Sequence, residues 1–229
     1  MRKSIFAVSL LAAAMVSPLA HAYKEGDMIL RAGAATVSPN DNSNNLNVSG
    51  IPLGGDVTVG DDTQLGLTFA YMLQDHLGLE LLAATPFTHE VKMKNSELGA
   101  ALNGKIADVS HLPPTLSLQY YPMDPASALQ PYAGIGVNYT TFFDEDLSSQ
   151  YEALGFSNLE LDDSWGVAGQ LGVDYLITDH ILLNAAVWYI DLDTKATMDG
   201  PDALAPGLKT SVDVTIDPWV YMVGVGYKF

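Results

Sequence analysis

Over the last eleven residues the chain alternates strictly. Trp219, Tyr221, Val223, Val225, Tyr227 and Phe229 fall on one side, and Val220, Met222, Gly224, Gly226 and Lys228 on the other. A repeat of two residues is a strand with one large apolar face and one mixed face. Ten steps of roughly 3.3 Å, tilted by about 40°, climb about 25 Å, the height of the apolar band of a transmembrane barrel. Trp219 and Phe229 are then expected at the two membrane interfaces. The same alternation recurs over eight segments, roughly 27–38, 63–73, 76–88, 112–123, 130–143, 164–177, 180–195 and 209–229. Leu65, Leu67, Phe69, Tyr71 and Leu73 form one unbroken apolar row with a glycine on the opposite face, a pattern that a secreted β-sandwich does not repeat strand after strand.

Short turns at Gln74-Asp75, Asp124 to Leu129 and Thr178-Asp179 alternate with long connections rich in Gly, Asn, Asp and Ser. An even strand number with short turns at one end and long loops at the other is the layout of outer-membrane barrels. Two hairpins echo each other, Tyr71 to Glu80 and Tyr175 to Asn184, each with a tyrosine, an Asp-His turn and an ascending apolar strand. Within the long loop near 144–163, Leu147 to Leu154 predicts one short helix. The longest uncharged run, Pro125 to Phe143, contains Pro131, Gly134, Gly136 and Asn138 and so does not read as a transmembrane helix. Lipid leaves only helices and closed barrels as spanning structures. The expectation is an all-β fold: an eight-stranded antiparallel transmembrane β-barrel with four long extracellular loops and short periplasmic turns.

The ends and the charge sharpen this picture. Arg2 and Lys3, the apolar run Ile5 to Ala20 and the small-x-small site Ala20-His21-Ala22 predict a cleaved signal peptide over 1–22, leaving the barrel as 23–229. Removing it leaves eight basic against 27 acidic residues, a net charge of −19 with neutral histidines. Such a balance excludes nucleic acid as a partner. The acids cluster in expected loops, such as Asp144-Glu145-Asp146, where they keep exposed segments soluble or meet divalent cations bridging to lipopolysaccharide. The absence of cysteine fits export without requiring it.

If the large rows face lipid, the alternate positions face the lumen. Arg31, Glu80, Asp174 and Lys228 all fall in its lower half, with Gln119 and Asn184 at similar depth. Two cations and two anions in a narrow barrel are expected to pair into an ionic plug, because an isolated buried charge is expensive. Leu82, Phe142, Trp188, Ile190, Val220 and Met222 point inward higher up. They form either an apolar plug or a narrow hydrophobic pocket open to the outside. A solute in such a pocket cannot pass the charged lower half and has to leave sideways. Pro86, within the third strand, and Pro113-Pro114, opening the fourth, donate no ladder hydrogen bonds and are candidates for a lateral seam; otherwise they simply end their strands.

The stretches Asp62 to Phe69, Leu77 to Phe87, His111 to Leu116, Pro131 to Phe143, Asp163 to Gln170 and Asp217 to Phe229, taken together, resemble the OmpW family of outer-membrane proteins over essentially the whole mature chain. The resemblance implies a monomeric eight-stranded barrel with a hydrophobic lumen. It also implies passive movement of small hydrophobic solutes, with lateral exit into outer-membrane lipid. A different class of reading keeps the barrel as an anchor and gives the acidic loops a surface partner. Catalysis finds no support: no Gly-x-Ser-x-Gly or His-Glu-x-x-His motif is present, and no glycine pattern suggests a cofactor. His89 and His111, with Glu90, flank the second loop where they could meet around a metal, but two histidines on a loop read as exposed loop residues.

Overall fold

The computed structural model describes residues 23–40, 47–48, 51–52, 56–96, 100–201, 207 and 209–229. The leader expected at 1–22 lies outside the described residues. In chain order the strands are β1 (Met28–Ser38), β2 (Asn47–Val48), β3 (Ile51–Pro52), β4 (Asp56–Val59), β5 (Asp62–Gln74), β6 (Leu77–Ala84), β7 (Phe87–Lys94) and β8 (Gly104–Leu112). They continue with β9 (Thr115–Tyr120), β10 (Leu129–Leu147), β11 (Ser157–Leu161), β12 (Ser164–Leu176), β13 (Ile181–Ile190), β14 (Asp193–Asp199), β15 (Lys209–Thr215) and β16 (Trp219–Lys228). A short α-helix, α1 (Ser149–Ala153), follows β10, inside the span expected to be helical.

Eight of these strands close on themselves in the order β12-β13-β16-β1-β5-β6-β9-β10, with β10 returning to β12. Every neighbouring pair is antiparallel. Closure removes the two unpaired edges that lipid would not tolerate. Outside, Leu65, Leu67, Phe69, Tyr71 and Leu73 are exposed together, as are Leu79, Leu81, Leu116, Leu118, Val223 and Val225. At the upper rim Tyr139 packs on Trp165 at 4.7 Å and Tyr189 on Trp219 at 5.1 Å, the aromatic belt of such a barrel.

The inside is filled. Gly66 faces inward, where a Cβ would lie 2.7 Å from the Ala35 Cβ and 3.1 Å from the Met222 Sδ. At Gly226 it would lie 2.6 Å from a Leu182 methyl and 3.1 Å from the Arg31 Cγ. At these two positions side chains from neighbouring strands occupy the space a Cβ would need. An eight-stranded barrel has room for little else.

Four of the expected segments are broken near the belt and continue beyond it, and this corrects their boundaries; the fifth runs through unbroken as β10. The third (76–88) is broken at Thr85-Pro86 and resumes as β7; the fourth (112–123) begins at Gly104 and is broken at Pro113-Pro114. The seventh and eighth are likewise divided, at Asp191-Leu192 and at Ile216 to Pro218. The upper pieces form two small sheets beyond the belt. One contains β4, β7, β8 and the upper half of β10, and the other runs β11-β14-β15-β2-β3.

Candidate functional site

The lower lumen is built around Arg31 of β1. Its Nη1 donates to Glu80 Oε2 at 2.8 Å and its Nη2 to Asp174 Oδ2 at 2.5 Å, with all three side chains buried. Arg31 Nε adds a second contact to Asp174 Oδ1 at 3.0 Å, a two-pronged grip that a planar guanidinium suits. Gln170 donates to Glu80 Oε1 at 2.7 Å, Gln119 donates to Gln170 at 3.1 Å, and Asn184 donates to Asp174 Oδ1 at 2.8 Å. Lys228 stands apart from this set and pairs with Asp27 at 3.6 Å. Tyr23 was not singled out from the sequence, yet its hydroxyl donates to Asp174 Oδ2 at 2.6 Å and its ring meets Tyr121 edge-on at 5.2 Å. A residue five positions before the first strand, β1, carries no strand periodicity to betray that it folds back into the lumen.

Leu82, Trp188, Ile190, Val220 and Met222 lie together in one buried apolar cluster, continuous with Met72, Leu182 and Ala186. Phe142 touches this cluster and a second one formed by the two outer sheets, which includes Ile106, Val109, Tyr151 and Val212. Between the outer sheets is a cavity of about 100 Å³. Of the six inward residues named from the sequence, Phe142 lines it; the rest of the wall includes Val91, Ile106, Val109, Leu161, Val212 and His111. The open space is therefore above the belt, and the apolar residues below it close the lumen.

Beside the cavity the barrel wall is interrupted. The β6–β9 ladder ends at Leu82 opposite Thr115, and the β7–β8 ladder starts at Phe87 opposite His111. Between them, Ala83 to Pro86 face Leu112, Pro113 and Pro114 with no ladder pairing. Proline lacks an N–H, so neither side can restore the register. The Pro113 carbonyl accepts from Thr115 Oγ1 at 3.1 Å and the Pro114 carbonyl from the Tyr139 N–H at 3.0 Å. Asn138 Nδ2 reaches both, at 3.2 and 3.3 Å, and also meets Thr115 Oγ1 at 2.9 Å. Pro86, Pro113 and Pro114 thus converge on one gap between the third and fourth staves.

His89 and His111 meet at the cavity wall, which corrects their reading as exposed loop residues. They are 5% and 6% exposed, and their Nε2 atoms are 2.9 Å apart. Phe87 stacks on His111 at 5.6 Å and Phe142 lies 5.9 Å away. His111 sits opposite Phe142, three residues beyond the belt residue Tyr139, and so lies outside the membrane-spanning part. Burial, with His89 beside it, pushes the His111 pKa down to about 3, and burial lowers that of His89 as well. The Glu90 carboxylate turns to Lys92 and Lys105. Among the described residues no group of three or more His, Cys, Asp or Glu could hold a metal ion.

Residues 24–229 match the sequence model of the OmpW family. Outer membrane protein W of Vibrio cholerae is 44% identical over 230 aligned residues, covering 100% of both chains. The crystal structure of the outer membrane protein OprG from Pseudomonas aeruginosa superposes with a TM-score of 0.85 at 57% identity, over 91% of this chain and 98% of that one. A more distant relative from Pseudomonas aeruginosa, 26% identical over 80% of this chain and 79% of its own, is named as a dibenzothiophene metabolism operon protein. The chain belongs to the OmpW family, and it is a non-enzymatic eight-stranded barrel of the bacterial outer membrane.

Proposed function

We propose that the protein takes up small, mainly hydrophobic molecules passively, through the outer cavity and then sideways into the membrane. The observation that carries this reading is the placement of the cavity directly beside the unpaired gap. His111 is part of the cavity wall and lies two residues before Pro113; Phe87, stacked on it, directly follows Pro86. Downward passage meets the buried cluster around Trp188 and then the Arg31 network, so the low-cost direction for an apolar solute is lateral. Walls of Val, Ile and Leu favour apolar solutes by about 25 cal/mol per Å² of surface removed from water. The relative tied by name to dibenzothiophene metabolism, an apolar ring system, agrees with that solute class.

The reading is tested by uptake into proteoliposomes of two solutes matched in size, one apolar and one polar, with wild type against Pro86→Ala. Alanine restores an N–H through which the ladder can close. Preferential apolar uptake that falls in the variant supports the lateral route. No uptake of either solute by correctly folded protein overturns it and moves attention to the loops as a surface module.

A further inference from the structure

The break in the third stave turns one ring inward. Below it Leu82 and Ala84 face the lumen; Thr85 and Pro86 are then both exposed, and Phe87 and His89 are buried. Two consecutive outward residues shift the alternation by one position, so Phe87 is the first inward side chain above the gap on this stave. In register it lies opposite His111, and His111 lies opposite Phe142, so three rings span the third to fifth staves at one level. His111 and Phe142 line the cavity. Phe87, 1% exposed, sits off the cavity wall and stacks on His111 at 5.6 Å and on His89 at 6.4 Å. It fills the space between the cavity and the unpaired stretch.

The backbone on either side of this ring is fixed to the second stave, away from the gap. The Thr85 N–H donates to the Leu65 carbonyl at 3.0 Å, and the Thr85 hydroxyl accepts from the Leu65 N–H at 3.2 Å. The Thr88 N–H donates to Asp62 Oδ2 at 2.8 Å. The ring itself has no polar atom and is held by packing, so it turns without breaking a hydrogen bond. Rotation of one side chain is a much smaller event than parting two strands.

We propose that Phe87 is the gate between the cavity and the lateral exit: its ring closes the passage at rest and turns aside as an apolar solute leaves. This inference rests on the uptake reading and adds to it the step that sets the exit rate.

Uptake of toluene, and of erythritol as a polar solute of similar size, is followed in proteoliposomes containing lipopolysaccharide, per folded molecule and above the protein-free rate. Phe87→Leu keeps an apolar side chain but loses the ring contacts. Its toluene rate is expected to rise about tenfold, the worth of one to two aromatic contacts that opening no longer breaks. A purely structural role would leave the rate unchanged or lower it. Erythritol should stay at the protein-free rate, since general loosening would admit both solutes. In wild type alone, ¹³C relaxation dispersion is expected to show microsecond-to-millisecond exchange of the Phe87 ring and not of the Tyr121 ring on the lumen floor, a readout that does not need a folded variant. An unchanged or lower toluene rate in folded Phe87→Leu, a rise in both solutes, or a rigid Phe87 ring overturns the gate and leaves the uptake reading standing. No toluene uptake by folded wild type overturns the uptake reading and the gate together.

Discussion

Arg31 Nη2 and Asp174 Oδ2 lie 2.5 Å apart across the lumen, from strands β1 and β12 that are separated in the wall by β16 and β13. The pair therefore ties opposite sides of the barrel, with Glu80 as the second anion on the same guanidinium. Removing one partner of a buried ion pair strands the others. Arg31→Met is expected to cost about 3–5 kcal/mol, read from urea unfolding in lipid vesicles. Replacing Arg31, Glu80 and Asp174 together by apolar residues of similar volume leaves no uncompensated charge but takes the acceptors of Tyr23, Gln170 and Asn184. It too is expected to destabilise, by about 1–3 kcal/mol for each buried donor left unsatisfied. A single variant as stable as wild type would contradict this account.

Trp188 and Leu161 separate the closed core from the cavity. Trp188 is fully buried below the cavity, and among the described residues its indole N–H has no acceptor. Trp188→Ala is expected to destabilise by about 3–5 kcal/mol. Trp188→Phe should cost much less, since it also removes an unpaired donor. Leu161, on β11, lines the cavity and is only half-buried. Leu161→Asp should reduce apolar uptake per folded molecule about tenfold or more, by placing a charge on an apolar wall, while the unfolding midpoint of the barrel stays in place. Equal loss of uptake per folded molecule in Trp188→Phe would move the solute path into the lumen.

The eight staves were legible because lipid imposes one rule on every strand: a large apolar residue at each second position. The same parity placed Arg31, Glu80 and Asp174 inside at one depth, and their attraction did the rest. What lies beyond the belt was not legible. There the strands face water on one side and each other on the other, so alternation is shorter and weaker. β14 and β15, for example, bury Met198 and Val212 only because β11 and the sheet of β7 and β8 close over the same space. Burial of His89 and His111 follows from that long-range closure, and nothing local to either residue announces it. The prolines were visible, but their convergence needed the register between β6–β7 and β8–β9. Asn138 looked like one polar interruption in an uncharged run until Pro113 and Pro114 were seen against it.

Asn138 carries its own prediction. It is fully buried on β10, with its amide directed at the Pro113 and Pro114 carbonyls and its Oδ1 accepting from Thr140 at 2.8 Å. Asn138→Leu removes the second donor from each carbonyl, leaving Pro113 with the Thr115 hydroxyl at 3.1 Å and Pro114 with the Tyr139 N–H at 3.0 Å, and takes the acceptor from Thr140, at a cost of about 0.5–1.5 kcal/mol per bond lost. Amide exchange of Leu112 and Thr115 is expected to quicken relative to strands on the far side, such as β13 and β16. Uniform exchange rates around the barrel would show that the gap is not held by this side chain.

The histidine pair makes the outer sheets sensitive to acid in a definite direction. In the folded protein His111 titrates at about 3 and His89 is lowered too, whereas an unfolded segment carries histidines near their ordinary value of about 6.5. Between those values the opened state binds protons that the closed state refuses, so stability of this region is full above about pH 6.5 and falls as pH drops toward 3. The slope approaches about 1.4 kcal/mol per pH unit for each histidine that stays neutral when folded. The groups facing the pair are Phe87, Phe142, the Gly60 carbonyl and the acids Asp61 and Asp62; the acids pull His89 back upward, so His111 dominates the effect. Amide exchange of β7 and β8, corrected for its intrinsic pH dependence, is expected to show greater opening at pH 5 than at pH 7.5, with the lipid-embedded strands unchanged. In a His89→Leu, His111→Leu double variant that difference should disappear, because the carboxylates that remain titrate mainly below this window. A flat profile in the wild type would mean that the two rings are not held neutral and buried.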